Sequence, residues 1–396
     1  MSDTFTWQYN AIDSVFFKEA REMDSSGVGE IDSLFPPPIN TLIGATRTLI
    51  AETTLGDAMD WSGFSKEKEI HKAAALIGYG IDNLGPLSFK GVWLRLGGER
   101  LYPAPLRLLR KTCTSTGDNK YGWLTPGTDT IGCDLGQAVR LPQISGNMRG
   151  AVPVSDVWVT GTQFESLLAG SIPKDLSTLL VSRDFAGGAV RWLVHSEPRL
   201  GIARNNRRAT VIEGLLYQTR HIRPTGDLAF EVDVCGSSVT SVPAELMTRF
   251  GGEGRAASVS LHQHIDQFPS LPDAGKASGL VLYLLTPALM RSNKYTMFPG
   301  FKRQSGTPTR WHGELNGVPM DLISAVIGKP LREGGWDAAE HAPRKVLSLT
   351  PAGSCFFIKP RGNLQQAAEA LHGSQIGYEQ KHGRGVIAVG YWNDVE

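Results

Sequence analysis

A helical pattern, a glycine-rich loop carrying an arginine and an apolar closing run follow one another twice in this chain of 396 residues. In mid-chain, Val242 to Phe250 predicts a short helix with Pro243 in its first turn. It is stopped by Gly251-Gly252-Glu253-Gly254-Arg255 and followed by the strand-like Ala256 to Leu261. Near the end, Gly362 to Leu371 carries Ala and Leu at helical spacing and ends at Gly373. After a spacer come Lys381-His382-Gly383-Arg384-Gly385 and the strand-like Val386 to Val389. One order occurring twice predicts a degenerate internal repeat.

Val92 to Leu96, Gly279 to Leu285, Val346 to Leu349 and Cys355 to Ile358 are short β-branched or aromatic runs bounded by Gly, Pro or charge, as strands are. Helix patterns are few; the clearest other one is Thr41 to Glu52, behind Pro36-Pro37-Pro38 with Asn40 available as its cap. The expected class is α+β, with two tandem ferredoxin-like (RRM-like) βαββαβ domains over residues 1–266 and 277–396. The Pro- and Gly-containing stretch Gln267 to Lys276 would link them. Residues 112–182 fit neither module, and the seven glycines from Gly117 to Gly150 predict a loop-rich insertion with one or two hairpins.

A hydrophobic content of 41% is enough to bury real cores. Forty Lys and Arg against 39 Asp and Glu leave a formal charge of +1, which argues against a free-standing nucleic-acid binder and against a protein held to membranes by charge. The longest strongly apolar run, Leu280 to Leu285, falls far short of the roughly 20 residues that span a bilayer. The N-terminus has no basic segment followed by an apolar core. No membrane association and a cytoplasmic location are expected. Cys113, Cys133, Cys235 and Cys355 are scattered without a CxxC pair and read as four buried reduced thiols.

The near-zero total hides segregation. From Arg183 to Arg223 eight Arg stand against three acids, and from Lys90 to Lys111 six basic residues stand against Glu99, so each segment is +5, whereas residues 1–32 sum to −5. Arg supplies 25 of the 40 basic residues, and its planar fork suits phosphate and stacking on bases. Ile202 to Ala209, with Arg204, Arg207 and Arg208, predicts a hairpin with a basic tip. The glycine-rich loops would let backbone N–H groups approach a polyanion closely. Their helix-before-glycine order is the reverse of a dinucleotide fingerprint, and no GxxxxGK[ST] is present, which excludes P-loop nucleotide binding.

Catalytic signatures are missing from the sequence: it contains no GxSxG, HExxH or paired-carboxylate motif. His262-x-His264 with Asp266 at a strand end is a poor ligand set for a metal. No catalytic residue, metal or cofactor is assigned.

Four blocks in register then carry a resemblance. They are Asp13 to Met23 with Leu34 to Pro38 and Thr41 to Arg47; Glu197 to Ile202 through Glu213 to Tyr217; the Phe250 to Arg255 loop; and the terminal glycine-rich loop. Together they resemble the third subunit of the Cmr complex, the type III-B CRISPR effector, in the RAMP superfamily. The resemblance implies two ferredoxin-like domains and a non-catalytic RNA-binding subunit of antiviral defence. It further implies a grip on the 5′ tag of the CRISPR RNA (crRNA), and docking on the large polymerase-like subunit and the first backbone subunit. The 112–182 insertion would correspond to the family's thumb-like hairpin region, with Met148 as its wedge between nucleotides. RNA contacts expected on this basis fall on Lys18, Arg21, Arg47, Arg204, Arg207, Arg208, Gly251, Gly252, Arg255, Lys381, His382, Gly383, Arg384 and Gly385. The alternative is a RAMP endoribonuclease that processes precursor CRISPR RNA, with His382 or His221 as general acid/base.

Overall fold

A computed structural model describes residues 4–20, 30–66, 71–112, 119–144, 148–173, 176, 178–182, 189–205, 207–208, 210–264, 266–290, 298–304, 306, 308–337 and 342–393. The fold is mixed α+β, mostly strands with few helices. The chain forms two compact units. One gathers Met1–Gly98, Leu193–Ile265 and Arg332–Leu347; the other gathers Glu99–Trp192, Asp266–Leu331 and Ser348–Glu396.

The first unit is built on strands Thr4–Ala11, Ser88–Leu96, Ala229–Cys235 and Ala256–Gln263. They lie side by side in the order second, third, first, fourth, each neighbour antiparallel. Alternation drives the first strand, with Trp7 and Tyr9 buried and Asn10 exposed. The expected helix runs from Ile39 to Leu55, and Ile39, Leu42, Ile43, Leu49 and Ile50 form its buried stripe. The Tyr9 hydroxyl lies 2.6 Å from Thr46 Oγ1 and ties helix to sheet. Asn40 is inside the helix rather than at its cap, and its amide donates to Glu333 Oε1 at 2.8 Å.

The helix expected over Val242 to Phe250 does not form. Met247–Arg249 is instead a strand paired with the residues from Ala256 to Ser258. In the paired strand Met247 is exposed, and of Val242 to Phe250 only Phe250 is buried. Phe250 is drawn into the core, stacked at 5.1 Å on Tyr9, and its N–H donates to the Arg255 carbonyl at 2.7 Å. Mid-chain the order is therefore strand, glycine loop, strand. The expected hairpin is present as Val194–Asn205 and Thr210–Pro224, with a register shift between Ile202 and Arg204; Glu30–Asp32 adds a parallel third strand.

In the second unit, strands Gly279–Leu284, Val318–Val326, Cys355–Pro360 and Ile387–Trp392 repeat the order second, third, first, fourth. The helix expected near the C-terminus is Leu364–Leu371, capped by Asn363, whose Oδ1 accepts from the Gln366 N–H at 2.9 Å. Its buried face joins Leu280, Leu282, Trp311, Leu322, Phe356 and Ile358 in the core. Arg310–Leu315 and Lys302–Gln304 extend the sheet beyond the second strand.

The 112–182 stretch is more regular than expected. Asn119–Cys133 and Gly136–Ile144 form one long hairpin, and the helix Gly161–Leu168 starts with a capping box made by Thr160 and Gln163. Neighbours stand close to two glycines of the first strand: a Cβ on Gly127 would meet the Leu141 carbonyl oxygen at 2.7 Å, and one on Gly122 would sit 3.2 Å from Met148 Cγ. Met148 is itself buried, so its side chain has no surface to offer as a wedge. Of the thiols, Cys355 is buried, while Cys133 and Cys235 are only half-buried at strand ends; Cys113 lies outside the described residues. Among the described residues no helix is long and apolar enough to cross a membrane.

Candidate functional site

The two basic segments of the sequence do not form two basic surfaces. In the Lys90 to Lys111 segment, Arg100, Arg107 and Arg110 are buried. The Arg107 guanidinium lies 4.6 Å from the centre of the Trp123 ring and 5.4 Å from that of Phe357, and donates to the Tyr283 hydroxyl at 3.1 Å. Arg95 pairs with Glu231 at 3.2 Å. Most of this charge serves the interior.

The second segment meets the acidic N-terminal stretch. Arg223 Nη1 is 2.5 Å from Asp13 Oδ1 and its Nη2 is 2.7 Å from Glu197 Oε2. Arg199 pairs with Glu197 and donates to Ser14 Oγ at 3.0 Å. Arg220 reaches Glu30 at 2.6 Å and Asp32 at 3.5 Å. The Arg223 hydrogen bond holds the Asp13 carboxyl below the usual carboxylate range, and the Arg199 hydrogen bond does the same for Glu197. These pairs neutralise the walls of the Val194–Asn205 and Thr210–Pro224 hairpin. Glu197 and Arg199, two residues apart, share one face of a strand, and that alternation was the sequence signal for the network.

At the tip, Arg207 and Arg208 are exposed, and Asn205 Oδ1 accepts both their backbone N–H groups at 3.1 and 3.2 Å. Arg204 lies in the strand at the register shift. Lys18 is exposed beside its bridge to Ser33. Arg21 lies outside the described residues. Arg47 faces inward on its helix: Nη1 donates to the Gly80 carbonyl at 2.8 Å, and burial draws its pKa down to about 10.

The mid-chain glycine loop packs on its own unit. Gly251 has φ +85°, and a Cβ there would meet the Phe16 carbonyl oxygen at 2.6 Å; the Gly252 N–H donates to that oxygen at 2.7 Å. Arg255 is half-buried, 3.5 Å from Asp13 Oδ2. In the terminal loop Lys381 is exposed, but His382 and Gly383 are buried, and Arg384 is paired inside with Glu379 at 3.0 Å. A Cβ on Gly385 would overlap the Ile376 carbonyl. The residues expected to contact RNA thus divide: Lys18, Arg207, Arg208 and Lys381 face solvent, whereas Arg47, Gly251, Arg255, His382 and Arg384 hold structure together.

Three of the histidines singled out in the sequence, His221, His262 and His264, each have a close neighbour. His221 is buried and stacked on Phe16 at 4.9 Å, and burial, helped by Arg255 and Arg199, pushes its pKa down to about 4. His264 Nδ1 lies 3.2 Å from Asp233 Oδ1, while His262 Nε2 lies 3.0 Å from Ser260 Oγ, so the two imidazoles have different partners. Among the described residues no group of His, Cys, Asp and Glu is arranged to hold a metal ion.

The family model described as CRISPR-associated protein (Cas_Cmr3) matches residues 7–392. Among solved structures, the chain is similar to one in the cryo-EM structure of the Type III-B Cmr-beta bound to cognate target RNA and AMPPnP, state 1. The identity is 12% and the TM-score 0.44, covering 89% of this chain and 86% of that one. A second Cmr-beta structure, bound to cognate target RNA, matches at 13% identity with the same TM-score and coverage. A chain of the Csm3-Csm4 subcomplex of the type III-A CRISPR-Cas interference complex is similar at 9% identity and TM-score 0.37, covering 91% and 94%. No curated protein matches the chain. A match over residues 7–392 is nearly the full chain, and the protein therefore belongs to the CRISPR-associated protein (Cas_Cmr3) family.

Proposed function

We propose that this chain is the non-catalytic subunit of a type III-B CRISPR effector that grips the 5′ tag of the CRISPR RNA. In that role it links the large polymerase-like subunit to the first backbone subunit. The observation that carries the reading is the hairpin of Val194–Asn205 and Thr210–Pro224. Its arginine walls are neutralised by Asp13, Glu30, Asp32 and Glu197, while Arg207 and Arg208 stay exposed at the tip. A basic point at the end of a paired hairpin suits single-stranded RNA, which is held by phosphate contacts and stacking. Family membership supports the same reading.

The shared strand order supports two ferredoxin-like modules. The first keeps the helix after its first strand, the second the helix before its fourth. Modules at 1–266 and 277–396 are proposed from the four-stranded sheets, which fall within residues 4–263 and 279–392, although Glu99–Trp192 gathers with the second sheet and Arg332–Leu347 with the first. Binding is favoured over cleavage by the burial of His221 and His382, the two candidates for acid/base work.

Ultraviolet crosslinking of guide RNA in the assembled effector, with mapping of the adducts, tests the reading. Adducts are expected on the 199–223 hairpin; their absence from it and from both glycine loops refutes it. Metal-independent cleavage of a repeat RNA to a 2′,3′-cyclic phosphate, lost in His382→Ala, would establish the nuclease instead.

A further inference from the structure

On the sheet of the second unit, pairing register aligns Lys302, His312, Asp321 and Lys359 across four neighbouring strands. Register partners share a face. The alternating Trp311, Leu322 and Ile358 belong to the core, so this row stands on the outer face. Three basic groups converge on its one carboxylate. Asp321 Oδ1 is 3.1 Å from both His312 Nδ1 and Arg361 Nη2, and Oδ2 is 3.8 Å from Arg310 Nη1. Asp321 is largely covered, whereas the side chains of Arg310 and Arg361 are 43% and 51% exposed and Lys302 is exposed.

Lys302, Arg310, Lys359 and Arg361 outnumber Asp321 even when Glu314, two residues beyond His312 on the same face, is counted. Like charges gathered on one sheet face repel, and Asp321 alone does not balance them. Three inter-strand steps of about 4.8 Å make the row an elongated strip about 14 Å long, which matches a linear polyanion better than a single ion. Exposed guanidinium edges are suited to phosphate oxygens. On this face Phe357 and Trp392 are buried, with Lys359 Nζ 5.2 Å from the centre of the Trp392 ring, and Pro319 is an exposed apolar flank, so what the row turns to solvent is mainly charge, whereas the centre of a protein interface is apolar.

We infer that this outer face binds backbone phosphates of a single-stranded RNA, through residues the proposed tag grip does not use. The inference does not depend on that grip.

The test uses the full chain and a fluorescein-labelled oligouridylate, with anisotropy followed over a salt series. Lys302→Ala/Arg310→Ala/Arg361→Ala is expected to weaken binding at low salt at least about tenfold and to lower the slope of log K against log salt by about 2, at about 0.7 per lost phosphate contact. Asp321→Asn is expected to strengthen binding, because it removes the competing carboxylate. An unchanged slope and affinity in the triple variant, with thermal unfolding unaltered, overturns the inference, as does a wild-type chain that leaves the oligonucleotide unbound at low salt. So does a triple variant that binds RNA normally but no longer enters the assembled effector, since the face is then a protein contact. Arg207→Ala/Arg208→Ala, assayed alongside, separates the two ideas: intact guide retention in that variant sinks the tag grip and leaves the strip standing.

Discussion

The Arg384 guanidinium is buried against Glu379, Nε to Oε2 at 3.0 Å, with only 1% of the residue exposed. A glycine-rich loop that suggests a cradle for a polyanion thus spends its arginine on an internal ion pair. Removing one member of such a pair leaves the other charge buried. Arg384→Ala or Glu379→Ala is expected to cost about 3–5 kcal/mol, and Arg384→Met/Glu379→Leu much less than either. Urea midpoints of the three variants check this; a double variant as unstable as the singles would contradict it.

The glycines of the mid-chain loop separate backbone strain from collision. Gly251→Ala meets both, a φ of +85° and the Phe16 carbonyl 2.6 Å from the new Cβ, and is expected to lose about 3 kcal/mol. Gly254→Ala meets only a φ of +65°, with nothing within 4 Å, and is expected to lose about 1 kcal/mol. Equal thermal shifts in the two variants would rule out the packing role of Gly251.

His221 should titrate near its lowered value of about 4 instead of the ordinary 6.5. The unfolded chain then binds the proton first, so stability is complete above about 6.5, declines as pH falls toward 4 and levels below it. Imidazole shifts followed by NMR give the midpoint. His221→Phe, which preserves the stack on Phe16, should remove this part of the acid sensitivity.

Asp13 and Glu197 respond in a lower window. Their folded values lie below the unfolded ones, so the stability they contribute is present above the ordinary carboxylate range and is lost as pH falls through their folded values. Asp13→Asn/Glu197→Gln should flatten the acid-unfolding curve there and reduce the effect of added salt. A variant with the wild-type acid profile would show that these pairs do not fasten the hairpin.

The side chains of Arg207 and Arg208 face solvent, and Ala keeps the backbone N–H groups that Asn205 Oδ1 accepts, so replacing both by Ala should leave the unfolding free energy within about 0.5 kcal/mol. Guide-RNA retention in the assembled effector should fall, with a salt slope lower by about 1.4 for two lost contacts. Full retention at all salt concentrations would remove the tip from the RNA path.

Much of the secondary structure was legible because its signals are local. The runs at Val92, Gly279 and Cys355 alternate or cluster over a few residues, and Asn363 and Gly373 bracket a helix whose apolar spacing is complete in eight residues. Val242 to Phe250 misled because its spacing mimics a helix while Phe250 belongs to the aromatic core with Tyr9, far away in sequence.

What the sequence determined by itself was the strand-rich class, the two glycine loops and the basic hairpin tip. Only the tertiary structure decided which charges remain at the surface. Asp13 neutralises Arg223 across more than two hundred residues, Arg107 is enclosed by aromatic rings, and the Lys302 to Lys359 row exists only because four strands bring it into register. Net charge sums along the chain, but binding depends on charges that share a face, and strand pairing determines which ones do.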